Sequence, residues 1–415
     1  MRRTGPRSAF PLCAAVAVWS TAISIAHPSF ADDLPPKKDD ASQPVHGAPA
    51  GTAVERGAFP KSFEFPGTGV SFSLVGYAKV DFIHDFESMG NHDQFKTNTI
   101  AIDGTPAADL DGQTTIHARE TRIGLDIRKS EDQFRVYVEG DFFADNNAFR
   151  MRHAYGELGS ILGGQTWTTF MDISVRPRIV DYEGPDGEVL TRRGMIRAHH
   201  SFSDLISAAV AVEQPTPQIA VPGTLTGSIR SEAPEIPGYV RAQGERGHVQ
   251  VAGIWRQLKF DGQSGSSDAT ATGWGLSGTF KVKVAGSDEL EGQLAHGEGI
   301  AALISGFGGL NADAVFTSGG DLDPLPATGF FLGFAHHFNS SVIASVVYSQ
   351  ADLDAAASQP GTTITELQDV RANLWWRPHG LVDYAIAVLW GRVEQSSGAS
   401  GENVRLQLAA KYAFN

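Results

Sequence analysis

The chain has 415 residues, a formal net charge of −14, 41% hydrophobic residues, 46 glycines and a single cysteine. The acidic balance argues against a nucleic-acid partner, which normally selects a basic surface. The single cysteine excludes a disulfide scaffold and a cysteine-rich metal site. No apolar stretch of about 18 residues follows the N-terminus, so a bundle of membrane helices is excluded as well.

The N-terminus has the pattern of an export signal. A basic start at residues 2–7 precedes an apolar stretch over residues 10–25, and Ser29-Phe30-Ala31 resembles a small-residue cleavage site. We therefore predict a signal peptide over residues 1–31, cleaved after Ala31. A retained membrane anchor is the alternative, but the apolar stretch is short and interrupted.

Residues 32–70 are predicted to be a flexible, proline-rich N-terminal segment. They contain six prolines and few large apolar residues before Phe59. Such a composition cannot bury enough apolar surface to offset the entropy lost on folding. Ordered structure is expected from about Phe63, where the segment approaches the first strand.

From residue 72 onward, apolar and polar residues alternate with a period of two. In the last segment Leu406 and Leu408 share one face, and Arg405 and Gln407 share the other. Roughly sixteen strands are predicted, near residues 72–86, 114–128, 132–143, 149–158, 161–167, 192–202, 205–213, 237–245, 248–259, 271–285, 288–297, 328–338, 341–351, 366–377, 381–394 and 402–414.

The connections between these strands alternate between short turns and long loops, as in 87–113 and 168–191. Strands of about ten residues with this rhythm are typical of a transmembrane antiparallel β-barrel with short periplasmic turns and long extracellular loops. We predict this all-β fold over residues 71–415. A soluble β-sandwich also alternates and is the structural alternative.

The polar faces of the first four predicted strands and of the sixth carry charged residues. Guanidinium groups stay ionised and match carboxylates in shape, so a row of arginines along a pore wall favours anions. A solvated face of a soluble sheet is the alternative. The candidate pore-lining and substrate-contacting residues are Lys79, Asp81, Arg122, Arg128, Arg135, Glu139, Asp141, Arg150, Arg152, Arg193 and Arg197.

The long loop 168–191 is a candidate constriction. It contains Arg176, Arg178 and Asp181, so an inward fold would place charges of both signs where a low-dielectric wall focuses their field. We expect this loop to fold into the pore. An outward, solvated loop is the alternative.

Five motifs stand out between about residues 76 and 200. They are Gly76-Tyr-Ala-Lys-Val-Asp81, Thr121-Arg-Ile-Gly-Leu125, Glu139-Gly-Asp-Phe-Phe143, Phe149-Arg-Met-Arg-His-Ala-Tyr-Gly156 and Gly164-Gln-Thr-Trp-Thr-Thr-Phe-Met-Asp172. Together these motifs resemble those of the DcaP-like trimeric outer-membrane porins.

The resemblance implies a sixteen-stranded homotrimeric channel in the outer membrane of a Gram-negative bacterium, surrounded by outer-membrane lipid. It implies passive uptake of small organic anions, with dicarboxylates as the typical class, past arginines of the pore eyelet. That role falls on the arginines within the matching motifs: Arg122, Arg128, Arg135, Arg150 and Arg152.

Enzymatic activity has little support in the sequence. Neither Gly-x-Ser-x-Gly nor His-Glu-x-x-His occurs. The adjacent pairs His199-His200 and His336-His337 point to opposite faces of a strand, so neither pair chelates a metal easily. We therefore expect a channel without catalytic residues, metal or cofactor. A general diffusion pore, a barrel hydrolase and a soluble exported β protein are the rival functions.

Overall fold

The computed structural model describes residues 55–129 and 134–414. The predicted signal peptide and residues 32–54 of the predicted flexible segment lie outside the described residues. The strands are β1 (Glu55–Arg56), β2 (Phe63–Phe65), β3 (Val70–Glu87), β4 (Asp111–His117), β5 (Arg122–Lys129), β6 (Phe134–Asp141), β7 (Arg150–Leu158), β8 (Ile161–Trp167), β9 (Arg192–Ser201), β10 (Ile206–Glu213), β11 (Ile219–Ala220), β12 (Gly227–Ile229), β13 (Ile236–Gly244), β14 (Gly247–Gly262), β15 (Ala269–Ala285), β16 (Asp288–Glu298), β17 (Ala314–Phe316), β18 (Leu322–Pro324), β19 (Pro326–His337), β20 (Val342–Leu353), β21 (Ile364–His379), β22 (Val382–Gln395) and β23 (Ser400–Ala413).

Antiparallel pairing closes these strands into a barrel. β4 and β5 pair with successive parts of β3 and together form one barrel strand. The chain then runs through β6–β10, β13–β16 and β19–β23, and β23 returns to pair with β3. Within the described residues this gives sixteen barrel strands, so the predicted fold class is confirmed.

Helical structure within the described residues is confined to single turns. The 3₁₀ turns are Thr97–Thr99, Asp145–Asn147, Ile173–Val175, Ala301–Leu303 and Ser305–Phe307. No helix in this part of the chain has the length and apolar character needed to cross a membrane.

Side-chain burial is inverted relative to a soluble protein. In β23 the polar Gln407 is 2% exposed, whereas its neighbour Leu408 is 41% exposed. The same contrast recurs around the barrel, with leucine, valine and isoleucine on the outer surface and charged residues inside. A contiguous apolar exterior is unfavourable in water but matches a hydrocarbon environment. This arrangement excludes the soluble sandwich.

A β-bulge in β7 changes which residues face inward. Glu139 pairs with His153 and Gly140 pairs with Met151, so Arg152 is the extra residue on its strand. Arg152 and His153 are consequently both buried. The strict alternation assumed for this strand, which placed Arg152 and His153 on opposite faces, is therefore wrong at the bulge.

Residues 55–65 carry two short strands, although they fall within the segment 32–70 that was predicted to be flexible. β2 pairs with the start of β3, and β1 pairs with β2. Lys61 contributes its carbonyl to the Ser73 hydroxyl, and Ala58 donates its N–H to the Ser71 hydroxyl. These bonds fix the segment against the first barrel strand.

Three long connections pack together inside the barrel. Buried apolar side chains from residues 87–110, 168–191 and 299–325 form one cluster, which includes Phe95, Phe170 and Phe307. Asp313, from the 299–325 connection, is buried and forms an ion pair with Arg256 at 3.1 Å. The barrel interior is therefore partly filled by these three connections.

Candidate functional site

The loop 168–191 begins at a charged anchor on the barrel wall. Asp172 accepts hydrogen bonds from Arg241 at 2.6 Å, His248 at 2.8 Å and Thr279 at 2.8 Å. Burial alone would raise the pKa of Asp172, but its hydrogen bond from Ser174 and the charge of Arg241 lower it. Asp172 is therefore a charged tether between the loop and strands β13–β15.

The middle of the loop is bonded to wall strands far from its origin. Lys79 donates to the carbonyl of Val180 at 3.0 Å, and the N–H of Val180 donates to Asn373 at 3.0 Å. Lys79 also pairs with Asp81 at 2.9 Å, and both residues are buried. The candidate pore-lining residue Lys79 thus holds the loop, and the candidate Asp81 is its ion-pair partner. Both side chains are buried and do not line open space.

Asp181 connects the loop to two buried arginines. Its carboxylate lies 3.7 Å from Arg371 and 3.6 Å from Arg405, and it accepts the N–H of Phe95 at 2.8 Å. Burial would raise the pKa of Asp181, but the two arginines and backbone N–H groups lower it. The candidate constriction residue Asp181 is therefore an anchor within the packed part of the loop.

The last part of the loop joins β20, β21 and the 299–325 connection. The N–H of Asp186 donates to Asp369 at 2.9 Å, and the N–H of Gly187 donates to Ser349 at 2.7 Å. Ser305 donates its N–H to the carbonyl of Glu188 at 2.8 Å. These contacts carry the loop across the barrel interior.

The substitution Gly187→Ala is expected to displace the 168–191 loop from the barrel wall. A Cβ atom there would lie 2.3 Å from the carbonyl oxygens of both Gln350 and Phe330, which are backbone atoms that cannot move aside cheaply. Overpacking of this kind costs about 1–3 kcal/mol. We expect a lower thermal unfolding midpoint in detergent and a larger single-channel conductance.

Gly223 provides the matched control for this substitution. A Cβ atom on Gly223 meets nothing within 4 Å. Gly223→Ala should leave both the unfolding midpoint and the conductance at the wild-type values. Equal behaviour of the two alanine variants would contradict the close seating of Gly187.

Between the loop and one side of the wall lies a cavity of about 690 Å³. Its described lining holds seven cationic side chains and one carboxylate, Glu139. The cations are Arg122, Arg152, Arg176, Arg178, Arg197, Arg377 and Lys411. The lining also includes five large aromatic residues: Tyr137, Tyr155, Trp167, Tyr182 and Trp375. The cavity is strongly basic, although the whole chain is acidic.

Two of the predicted arginines face the cavity while being tied to acids of β6. Arg152 lies 3.3 Å from Glu139 and 2.7 Å from Asp141, and Arg122 lies 3.6 Å from Glu139. The acids fix the guanidinium groups in place and offset part of their charge. Asp141 itself is buried behind Arg152 and is not part of the lining.

Four other candidates are placed away from the cavity. Arg128 and Arg135 both bind Asp126, with Nε–Oδ1 distances of 3.1 and 3.0 Å. Arg150 binds Asp141 at 2.8 Å, and Arg193 lies 3.8 Å from Glu235. The structure therefore does not bring these four into one site with Arg122, Arg152, Arg176, Arg178 and Arg197.

Sequence reasoning missed several lining residues. Trp375 follows Asp369, Arg371 and Asn373 on the inward face of β21, so an alternation count along that strand could have found it. Trp167 is the last residue of β8, where the chain turns into the loop and alternation no longer fixes direction. No sequence signal marked Trp167.

One grouping in the loop superficially resembles a hydrolase triad. Ser174 and Asp172 lie near His248, but both contact the same nitrogen, Nε2, at 3.1 and 2.8 Å. A relay needs the base and the orienting acid on different ring nitrogens, so this group cannot activate Ser174. Among residues 55–129 and 134–414, no cluster of His, Cys, Asp and Glu is arranged to hold a metal ion.

A closed sixteen-stranded barrel with an apolar exterior, a charged interior and an inward loop defines the porin fold of outer-membrane channels. Residues 66–218 match the family model of the DcaP outer membrane protein. The resemblance to that family is thereby confirmed. The match and the fold together support an outer-membrane porin. A search of curated proteins returns no match to this chain.

Solved structures with this fold include several porins. The outer membrane channel DcaP of Acinetobacter baumannii is 18% identical with a TM-score of 0.71, and the alignment covers 85% of this chain and 99% of that one. The anion-selective porin from Comamonas acidovorans is 12% identical with a TM-score of 0.57, covering 83% and 100%. Salmonella typhi OmpF in complex with daunomycin is 12% identical with a TM-score of 0.55, covering 83% and 98%. At these identities the likeness concerns the fold.

Proposed function

We propose that this protein is an outer-membrane porin that lets small organic anions, of the dicarboxylate type, diffuse passively through an arginine-lined pore. The observation that carries the proposal is the charge of the cavity beside the 168–191 loop, where seven cationic side chains face one carboxylate. The pore performs no chemistry in this proposal and needs no cofactor or metal.

The mechanism is electrodiffusion across a basic constriction. Low-dielectric walls concentrate the field of the cavity cations, so small anions accumulate there and small cations are repelled. Guanidinium groups replace part of the hydration shell of a carboxylate, and neighbouring arginines accept it in turn. Weak binding at several sites allows the anion to leave as readily as it enters.

The 168–191 loop is the proposed constriction element. Its bonds to wall residues across the barrel support this role, because they leave the remaining open space on the side where Arg176 and Arg178 lie. We further propose export through a signal peptide cleaved after Ala31, residence in the outer membrane of a Gram-negative bacterium, and assembly as a homotrimer.

Ion selectivity in a planar bilayer tests the proposal. Purified protein under a potassium chloride gradient should give a reversal potential of the sign that chloride permeation produces, and a trimer should insert in triplet conductance steps. Succinate should interrupt the chloride current, because two carboxylates can engage neighbouring arginines. The uncharged diamide of the same length should not interrupt it.

The nearest rival is a general diffusion porin with weak selectivity. A reversal potential near zero, together with equal effects of succinate and its diamide, would replace the anion-channel proposal with that rival. Cation preference would overturn both the substrate class and the role given to the cavity arginines.

A further inference from the structure

The arginines at or beside the cavity differ in the groups that contact their guanidinium ends. Arg122 and Arg152 are within 4.0 Å of carboxylates. Arg178 and Arg197 line the cavity, and Arg192 lies next to it on the lining residue Trp167. None of these three has a carboxylate within that distance among the described residues. The last three therefore retain most of their charge for a passing solute.

Neutral groups position these three side chains. The guanidinium of Arg178 lies 5.2 Å from the centre of the Trp375 ring, and that of Arg192 lies 4.6 Å from the Trp167 ring. Arg197 donates to the hydroxyl of Thr169 at 2.9 Å and to the carbonyl of Trp167 at 2.5 Å. Trp375 is 3% exposed, so its ring is fixed by packing.

A carboxylate and an aromatic ring hold a guanidinium with different electrical consequences. A carboxylate within 4 Å cancels much of the field that the cation projects. A ring face attracts the cation through its quadrupole but carries no net charge. An arginine held by a ring is therefore fixed in position and still acts as a full cation at a distance.

We propose that the carboxylate-free arginines Arg178, Arg192 and Arg197 set the anion selectivity of the pore, and that Trp167 and Trp375 are the positioning residues that hold Arg192 and Arg178 without neutralising them. This inference rests on the proposed anion-channel function. It assigns little of the selectivity to the acid-paired arginines that the sequence motifs emphasise.

Substitutions at Trp375 separate positioning from simple packing, because its neighbour offers a matched control. Trp376 is on the opposite face of β21 and is 53% exposed. Trp375→Leu should lower the anion-to-cation permeability ratio about threefold, since the ring that fixes Arg178 is lost. Trp375→Phe keeps a ring face and should restore most of the ratio, and Trp376→Leu should leave it unchanged.

The arginines are tested in the same assay. Arg178→Gln and Arg197→Gln should each lower the permeability ratio more than Trp375→Leu does. Arg119 provides the control, because it also stacks on an aromatic ring, Phe143 at 4.8 Å, but pairs with Asp93 and lies outside the cavity lining. Arg119→Gln should therefore leave the ratio unchanged.

Heat-modifiable migration on gels verifies that each variant is a folded barrel. Where Trp375→Leu fails to fold, Trp375→Phe and Arg178→Gln decide the test. A wild-type channel without anion preference would overturn the proposed function itself. An anion-selective wild type whose ratio survives Trp375→Leu, Arg178→Gln and Arg197→Gln would overturn this inference alone.

Discussion

Methionine in place of Arg371 is expected to free the 168–191 loop and to lower the stability of the barrel. Arg371 is completely buried, and its Nε lies 2.6 Å from Asp369. A second guanidinium nitrogen lies 3.7 Å from Asp181 on the loop. Removing one member of a buried charge group leaves its partners uncompensated and costs about 3–5 kcal/mol.

Two measurements follow from the Arg371→Met substitution. The temperature at which the folded barrel converts to the unfolded gel form should fall, and single-channel conductance should rise because the loop no longer crosses the lumen. Adding Asp369→Asn removes one of the stranded charges, so the double variant should recover part of the lost stability. Among the described ion pairs, Arg371 is the cation that pairs with Asp369.

Arg230→Met is the control for this prediction. The Arg230 side chain is 71% exposed, and it lies 3.9 Å from Asp261. Exposed ion pairs contribute about 0–1 kcal/mol, so this variant should match the wild type. Wild-type stability and conductance in Arg371→Met would show that Arg371 does not anchor the loop.

The strand positions could be predicted because the alternation that defines each strand is a local property of its own sequence. Alternation between lipid-facing and inward residues is imposed on every barrel strand, so segments such as 161–167 and 288–297 match β8 and β16 almost to the residue. Closure of the barrel could also be predicted, because an open sheet would leave unpaired backbone groups at its edges within the membrane.

The partners of the inward residues could not be predicted in the same way. Alternation indicates that Lys79 faces inward, but only the path of the loop determines that it meets Val180 and not a solute. Arg152 faces the cavity together with His153 because of a bulge, which is set by pairing with β6 and leaves no mark in the composition. Burial of Asp313 depends on Arg256 from a distant strand.

The acid partners of the wall arginines limit the positive charge that a permeating anion experiences. The sequence resemblance emphasises arginines in strands β5–β7, yet Arg128, Arg135 and Arg150 are bound to acids outside the cavity. Arg178 enters the cavity from the loop, where periodicity gives no information. An arginine count along the wall therefore overstates the charge that a permeating anion experiences, and the acid partner of each arginine must be known.

Anion selectivity is expected to fall as the pH rises through about 7, because Glu188 on the 168–191 loop ionises in that range. Burial raises the pKa of Glu188 to about 7, against the opposing charges of Arg176 and Arg371. The carboxyl group is therefore neutral below this pH and negative above it. Its Oε2 lies 4.0 Å from Nε of Arg176, which lines the cavity, so ionisation offsets one of the cavity cations.

Two other acids near Glu188 need to be distinguished from it. Burial and the adjacent Asp369 raise the pKa of Asp186, but Asp186 is bonded to Thr97 and does not line the cavity. Glu183 is on the same loop and pairs with Lys96 at 3.0 Å. Neither acid is within 4.0 Å of Arg176 among the described ion pairs.

Reversal potentials measured from about pH 5 to about pH 9 under a fixed salt gradient test the role of Glu188. Glu188→Gln should abolish the change near pH 7 and keep the selectivity of the low-pH wild type at every pH, because the amide cannot ionise. Glu183→Gln should keep the pH dependence, because Glu188 is intact. A Glu188→Gln channel whose selectivity still falls near pH 7 would assign the titration to another group and remove Glu188 from the control of the pore.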